Sequence, residues 1–196
     1  MKAKVYILSS IMMTLFLVCC NSAQNKDEIE SIYVLFYNST FTTDIAIDCD
    51  QIKKNIPPMD TTLVVNQHGD SIGIMVNNYG VLDAIMTNPV VLKDIANELR
   101  NLQADSASNY SFDARISCFI KYKNKKEERL CIGGEFTDDI LYNGMRQKTN
   151  NKLLYLIKQN IGYYSWIDDR FLEYYYELQD KSFKRDSVVG YFGRKF

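Results

Sequence analysis

The alternation of apolar and polar positions predicts strands along most of the chain. Residues 31–38 are apolar at nearly every position, which is typical of a central strand that is buried on both faces. Residues 42–48 alternate instead, which predicts a strand with one buried face. The other predicted strands are 61–66, 71–76, 112–122, 128–133, 140–142 and 187–192, of which the first two and the next two form hairpins.

Three helices are predicted from apolar spacing and from capping residues. Asn88-Pro89 starts the first, because Asn caps a helix and Pro suits its first turn, and an apolar stripe follows at Leu92, Ile95 and Leu99. The second spans residues 150–161 and is closed by glycine, and the third runs from Ser165 to Leu178. Runs of strands mixed with helices predict an α+β fold: a mostly antiparallel sheet with about three helices packed on one face. We expect a single domain over residues 31–196.

The first nineteen residues have the composition of a signal peptide. Lys2 and Lys4 precede an apolar run, Val5–Val18, which at roughly 21 Å as a helix is shorter than a bilayer core. The run ends in Leu17-Val18-Cys19-Cys20, which resembles the lipobox of bacterial lipoproteins. The resemblance implies cleavage before Cys20 and lipidation of its thiol. An ordinary signal peptide and an uncut membrane anchor are the alternatives.

Residues 20–30 are then a lipidated cysteine followed by a polar, acidic tether. The lipobox therefore predicts a partner, the membrane, and a place in the cell envelope as an outer-membrane lipoprotein. Some Gram-negative lipoproteins carry an acidic stretch here as a signal for transfer to the cell surface. A plain solvated linker explains the acidic residues equally well, so surface-facing and periplasm-facing positions both stay open.

Charge and histidine content argue against several function classes. The chain has 23 basic and 24 acidic residues without a long basic run, so nucleic-acid binding is not expected. His68, the only histidine, lies in a predicted turn, which argues against a catalytic triad and against zinc. No cofactor is expected. The carboxylate pairs Asp48/Asp50, Asp138/Asp139 and Asp168/Asp169 are the remaining candidates for acid–base chemistry, and the last pair is better explained by a helix start.

Three cysteines remain after processing, and their state depends on the register of the second hairpin. A two- or four-residue loop places Cys118 directly opposite Cys131, which permits a disulfide between them. A three-residue loop instead aligns the apolar residues on one face. We favour the second register with free thiols in the core, and keep the Cys118–Cys131 disulfide as the alternative.

An aromatic cluster after Gly162 is the most distinctive local feature. Ile167, Phe171, Tyr175 and Leu178 fall at helical spacing and predict a core stripe. The candidate ligand-binding platform, for a glycan or a protein, is therefore Tyr164, Trp166, Tyr174 and Tyr176.

Four Asp-hydroxyl pairs resemble the O-glycosylation sites of exported proteins in some Gram-negative anaerobes, although Asp-Ser is also a common turn pair. The candidate sites are Thr61, Ser71, Ser106 and Ser187. The sequence thus favours a non-enzymatic, membrane-tethered binding or interaction module of unknown ligand. The alternatives are an accessory or structural subunit of an outer-membrane complex and an envelope hydrolase using acids such as Asp48 and Asp50.

Overall fold

A computed structural model describes residues 28–37, 46–53, 61–65, 71–76, 80–106, 111–133 and 138–196. The predicted signal peptide, Cys20, most of the tether and His68 lie outside these residues. Among the residues described, no helix combines the length and apolar character that a bilayer span requires.

The fold is α+β with a mostly antiparallel sheet, as the strand and helix patterns predict. The strands are β1 (Ile29–Tyr37), β2 (Thr61–Val65), β3 (Ser71–Val76), β4 (Val81–Met86), β5 (Ala114–Tyr122), β6 (Glu127–Gly133), β7 (Ile140–Tyr142) and β8 (Met145–Gln147). Six of them form one antiparallel sheet in the order β4-β1-β5-β6-β7-β8, and β2 pairs with β3 separately. The two predicted hairpins and the central position of β1 are confirmed. Strands β4 and β8 were not predicted.

Two of the predicted helices form as expected. They are α1 (Pro89–Arg100) and α2 (Asn151–Asn160), and the short α3 (Tyr176–Gln179) follows. The Asn88 side chain accepts hydrogen bonds from the first turn of α1, and Asn150 accepts one from Leu153 at the start of α2. Gly162 follows Ile161, the C-cap of α2, and adopts φ +68°, the left-handed conformation that suits glycine at a helix end.

The prediction of one long third helix is wrong. The segment divides into a 3-10 helix, Asp169–Tyr174, and α3, with Tyr175 extended between them. The Tyr175 ring is buried against Tyr163 and Tyr164 in edge-to-face contacts, at centroid distances of 6.3 and 5.9 Å. Tertiary packing of one aromatic ring therefore interrupts the helical pattern.

The helices cover one face of the sheet, called here the helix face. The residues that β1 contributes to it, Ile32, Val34 and Phe36, are buried in the main core with the apolar stripes of α1 and α2. On the opposite side, called the far face, Leu35 and Tyr37 form a second, smaller core with Ile52 and Ala114. Both faces of β1 are thus largely buried, which explains its nearly continuous apolar sequence.

The register of the β5–β6 hairpin settles the state of the cysteines. Its loop has three residues, with Lys125 at φ +67°, and Cys118 is paired with Leu130. Cys118 therefore lies on the helix face as a buried free thiol, whereas Cys131 lies on the far face. The alternative Cys118–Cys131 disulfide is wrong, and so is a free Cys131, because Cys131 is disulfide-bonded to Cys49.

The predicted strand 42–48 is not formed at residues 46–48. Its first four positions lie outside the residues that the structure describes. Residues 46–48 lead into a 3-10 turn, Cys49–Gln51, which carries Cys49 to the far face. The predicted final strand 187–192 is also wrong as a strand. It forms one arm of a small hairpin whose pairing is a single bridge between Val189 and Lys195.

Candidate functional site

The far face carries a row of side chains that crosses four strands. Ile85 of β4 is paired with Tyr33 of β1, Tyr33 with Phe119 of β5, and Phe119 with Arg129 of β6. Because paired positions of antiparallel strands point to the same side, the four side chains are neighbours. The Tyr33 and Phe119 ring centroids are 6.0 Å apart, and the Arg129 guanidinium carbon lies 3.8 Å from the Phe119 ring centre.

A cavity of about 590 Å³ opens over part of this row, and we call it the Phe119 cavity. Its lining residues are Ser31, Tyr33, Phe119, Ile120, Lys121, Glu127, Glu128, Arg129 and Asn143. The volume falls within the range of small-molecule sites in proteins. Phe119 remains 38% exposed, although its neighbours on the same strand are buried. The cavity therefore offers an accessible aromatic surface with polar groups around it.

Arg129 is held rigidly at the edge of the cavity. Its Nη2 atom donates to the carbonyl oxygen of Cys49 at 2.9 Å, and it also lies 3.5 Å from an Asp50 carboxylate oxygen. The Asn143 side chain accepts a hydrogen bond from Arg129 N at 2.9 Å, and Asn143 N donates to the Arg129 carbonyl oxygen at 2.8 Å. Burial lowers the pKa of Arg129 and the Asp50 charge opposes this, but the guanidinium stays protonated at any physiological pH.

The segment 46–53 closes one side of the far face. Ile47 N donates to the Asp113 carboxylate at 2.8 Å, and its carbonyl accepts from Ala114 N at 2.8 Å. The Cys49–Cys131 disulfide then joins this segment to β6, with a Cα–Cα distance of 6.1 Å that is ordinary for such bonds. The disulfide and Arg129 therefore fix the same short segment beside the cavity.

Charges of both signs surround the cavity. Lys121 Nζ lies 2.9 Å from a Glu30 carboxylate oxygen, and both side chains are about half exposed. Glu128 is paired with Ile120, so its side chain lies on the helix face, where its two oxygens accept hydrogen bonds from Lys126, Tyr122 and Tyr142. Burial alone would raise the pKa of Glu128, but these three donors together hold that pKa below its usual value. Glu128 is thus an ionised carboxylate whose oxygens are already hydrogen-bonded, so it is not a free acid or base.

Three of the four rings of the predicted aromatic platform are exposed, and their role in ligand binding stays a prediction. Tyr164 is buried, and its hydroxyl donates to Glu177 at 3.0 Å, so this residue is wrongly assigned to an exposed surface. Trp166, Tyr174 and Tyr176 are 41%, 54% and 55% exposed. The predicted core stripe is confirmed at Ile167, Tyr175 and Leu178, and Phe171 is partly buried against the same core.

The carboxylate pairs have structural partners. Asp48 caps the 3-10 turn that Gln51 closes, and Asp50 points outwards toward Arg129, so the two do not project together from an extended strand. Asp138 accepts from Thr149, and Asp168 accepts from Arg170. Asp169 is buried and accepts from the backbone of Phe192 and Arg194. Within the described segments, no group of three metal-ligating side chains is gathered that could hold an ion.

The remaining candidate residues are the predicted O-glycosylation sites. Thr61 and Ser71 begin β2 and β3, and Ser106 and Ser187 are exposed, so glycosylation stays a prediction. The residues that sequence reasoning missed are Tyr33, Phe119 and Arg129. The three-residue hairpin loop already pairs Phe119 with Arg129, but the pairing of Phe119 with Tyr33 depends on the register between β1 and β5.

Compared with models of known protein families, with curated proteins and with solved structures, the chain shows no significant match.

Proposed function

We propose that this protein is a lipid-anchored binding protein of the cell envelope, held on the outer membrane through Cys20. Its ligand occupies the Phe119 cavity, and the ligand class is a neutral glycan. The observation that carries the proposal is the half-exposed Phe119 ring, which lies in a cavity of about 590 Å³ with Tyr33 and Arg129 beside it.

The disulfide supports export. Disulfides persist in secreted and periplasmic proteins, whereas cytoplasmic thiols are kept reduced. A chain that joins Cys49 to Cys131 is therefore suited to an oxidising compartment, as the lipobox at Leu17–Cys20 independently predicts.

The chemistry of the cavity favours a glycan. Aromatic rings contact the apolar face of a sugar ring, and the hydroxyl groups around that ring need donors and acceptors. Ser31, Asn143 and the charged side chains of Lys121 and Glu127 supply both kinds of group. Because the rim carries both signs of charge, a neutral ligand fits better than a strongly charged one.

A binding role is favoured over catalysis. The Glu128 carboxylate lies on the helix face and is engaged by three donors, so it is turned away from a substrate in the cavity. A nucleophile would also need a base to activate it, and no such pair is described among the lining residues. The exposed rings of Tyr174 and Tyr176 favour the second candidate function, an accessory subunit of an outer-membrane complex. Co-purification of a stoichiometric partner would support that role.

Ligand binding is tested with the soluble form, residues 21–196, on an array of neutral oligosaccharides. The best ligand is then titrated by calorimetry against wild type, Phe119→Ala and Ile85→Ala. Ile85 is the matched control, because it is exposed in the same cross-strand row but does not line the cavity. We expect Phe119→Ala to weaken binding about tenfold or more, and Ile85→Ala to leave it unchanged. Equal binding by all three proteins would refute the cavity assignment.

The anchor is tested separately on cells that produce the full chain. Palmitate labelling should be present in wild type and absent in Cys20→Ser. Protease treatment of intact cells, with a lysed control and a C-terminal epitope, then determines the side of the membrane. Loss of the epitope on intact cells indicates the surface, and protection until lysis indicates the periplasm.

A further inference from the structure

We propose that the C-terminal hairpin, Val188–Phe196, is a second membrane contact that binds the anionic surface of a phospholipid bilayer. The feature that suggests it is the tip of the hairpin, where Tyr191 and Phe192 are 63% and 71% exposed. Turn positions are ordinarily polar or glycine, so two adjacent exposed aromatic rings there are unusual.

The hairpin is built to hold these rings in place. Val188 and Phe196 exchange backbone hydrogen bonds, and Gly190 N donates to the Arg194 carbonyl at 3.1 Å. Gly193, at φ +84°, completes a three-residue loop with a left-handed last position, which is a common tight hairpin. The two rings contact each other edge to face, with centroids 5.1 Å apart.

The backbone of the hairpin is also tied to the body of the domain. Tyr191 N donates to the Ile167 carbonyl at 2.9 Å. The buried Asp169 carboxylate accepts from Phe192 N at 3.1 Å and from Arg194 N at 2.8 Å. Because the backbone faces the domain, the rings point away from it. Trp166, which precedes Ile167, adds a third partly exposed ring next to this attachment.

The charge of the hairpin region favours an anionic bilayer as its binding partner. Residues 181–196 contain five basic residues and one acidic residue, which gives +4, whereas the whole chain has a net charge of −1. Among the residues described, neither Arg194 nor Lys195 has an acidic side chain within ion-pair distance. Exposed aromatic rings beside unpaired basic side chains are typical of protein surfaces at the headgroup layer of anionic bilayers.

The anchor leaves enough reach for this contact, an argument that rests on the proposed lipidation of Cys20. Fully extended, the eight residues from Asn21 to Glu28 reach roughly 28 Å. The tether enters at Ile29, and the Tyr163–Trp166 turn packs near the other end of β1, where the Tyr163 and Phe36 ring centroids are 6.1 Å apart. Ile29 and Phe36 are roughly 23 Å apart along the strand, which is less than the roughly 28 Å that the extended tether can reach. The hairpin can therefore meet the bilayer that carries the lipid.

The test uses the unlipidated form, residues 21–196, so that its outcome is independent of the anchor. Co-sedimentation is measured with vesicles of phosphatidylglycerol and phosphatidylethanolamine, and with vesicles of phosphatidylcholine. The hairpin variants are Tyr191→Ala/Phe192→Ala and Arg194→Gln/Lys195→Gln. The matched controls are Tyr174→Ala/Tyr176→Ala and Lys93→Gln/Lys148→Gln, which alter exposed aromatic and basic residues elsewhere. Thermal melting verifies that each variant is folded.

We expect wild type to bind the anionic vesicles and not the neutral ones, with weaker binding at high salt. Arg194→Gln/Lys195→Gln should reduce the affinity about thirtyfold, as expected for two cations at a charged surface. The aromatic variant should also bind weakly, and both controls should bind like wild type. Absence of vesicle binding, or equal binding by hairpin and control variants, would overturn the proposal. Self-association abolished by the aromatic hairpin variant, without vesicle binding, would reassign the hairpin to a contact between copies.

Discussion

Cys49 is disulfide-bonded to Cys131, which lies 82 positions further along the chain and on the opposite sheet face from the free thiol of Cys118. Residues 21–196 contain only these three cysteines. Alkylation of the native, unreduced protein should therefore modify none of them, because burial raises the pKa of the Cys118 thiol to about 12. Denaturation without reductant should expose one thiol, and reduction should expose three, as counted by intact mass.

The pairing is checked by Cys118→Ala, which should leave no thiol in the denatured, unreduced protein. Cys49→Ser should instead leave two and should lower the free energy of unfolding by about 2 to 4 kcal/mol, because the bond closes a long loop. Two free thiols in denatured Cys118→Ala would show that the disulfide does not form.

Glu128 makes stability depend on pH. Its pKa is lowered in the folded protein by hydrogen bonds from Lys126, Tyr122 and Tyr142 that outweigh burial. Its stabilising contribution is therefore complete above the ordinary glutamate pKa of about 4.3, and it is lost as the pH falls through the lower folded-state pKa. We expect Glu128→Gln to cost about 2 kcal/mol at pH 7, and less near pH 3, in urea melts.

The control for this prediction is Glu30→Gln, which removes one partner of a half-exposed ion pair with Lys121. Its cost should stay below about 1 kcal/mol at neutral pH. A penalty for Glu128→Gln that is equal at both pH values would contradict the assigned role of the carboxylate.

Lys158 and Glu177 form an ion pair that is closed off from solvent, with an Nζ–Oε1 distance of 2.7 Å. The Lys158 ammonium also lies 4.8 Å from the Tyr175 ring centre. Lys158→Met leaves Glu177 buried without its cation and should cost about 3 to 5 kcal/mol in unfolding free energy. The double variant Lys158→Met/Glu177→Leu should recover part of this loss.

The comparison for the buried pair is Lys123→Met, which breaks the half-exposed ion pair with Glu28. Chemical denaturation should detect a change of about 1 kcal/mol or less. If Lys158→Met were as mild as Lys123→Met, the buried pair would not be formed in solution.

Gly190 is required where the C-terminal hairpin meets the domain. A Cβ atom at this position would lie 2.0 Å from Asp169 Oδ1 and 3.0 Å from Leu172 Cδ1. Gly190→Ala should therefore displace the Asp169 carboxylate from the backbone of Phe192 and Arg194, at a cost of about 1 to 3 kcal/mol.

Hydrogen exchange is the direct measurement, because the Phe192 and Arg194 amides should lose protection in Gly190→Ala. Asp169→Ala removes the same two acceptors, so the double variant should be less destabilised than the sum of the single ones. Additive effects would show that the glycine and the carboxylate act independently.

Local chemistry accounts for the elements that were predicted correctly. Asn88 and Asn150 cap their helices with their own side chains, and Gly162 closes α2, so both helices can be identified from a few neighbouring residues. The β5–β6 register follows in the same way, because only a three-residue loop aligns the apolar positions on one face.

Long-range contacts account for the errors. Strand β4 was missed because an edge strand with exposed positions such as Ile85 has a weak apolar pattern. Cys49 was not identified as the partner of Cys131 because the two are 82 positions apart, and no local sequence pattern shows that they lie close together in the fold. Tyr164 was placed at the surface because no residue near it in the chain reveals its hydrogen bond to Glu177, which lies 13 positions further along.

The sequence by itself determined the α+β class, the capped helices and the hairpin register, since each depends on residues close together in the chain, and it predicts a lipid anchor. The tertiary structure alone decided which aromatic rings are buried, which cysteines join and where a cavity opens. The physical reason is that Tyr33, Phe119 and Arg129 become neighbours only when three strands from distant parts of the chain pair in one register.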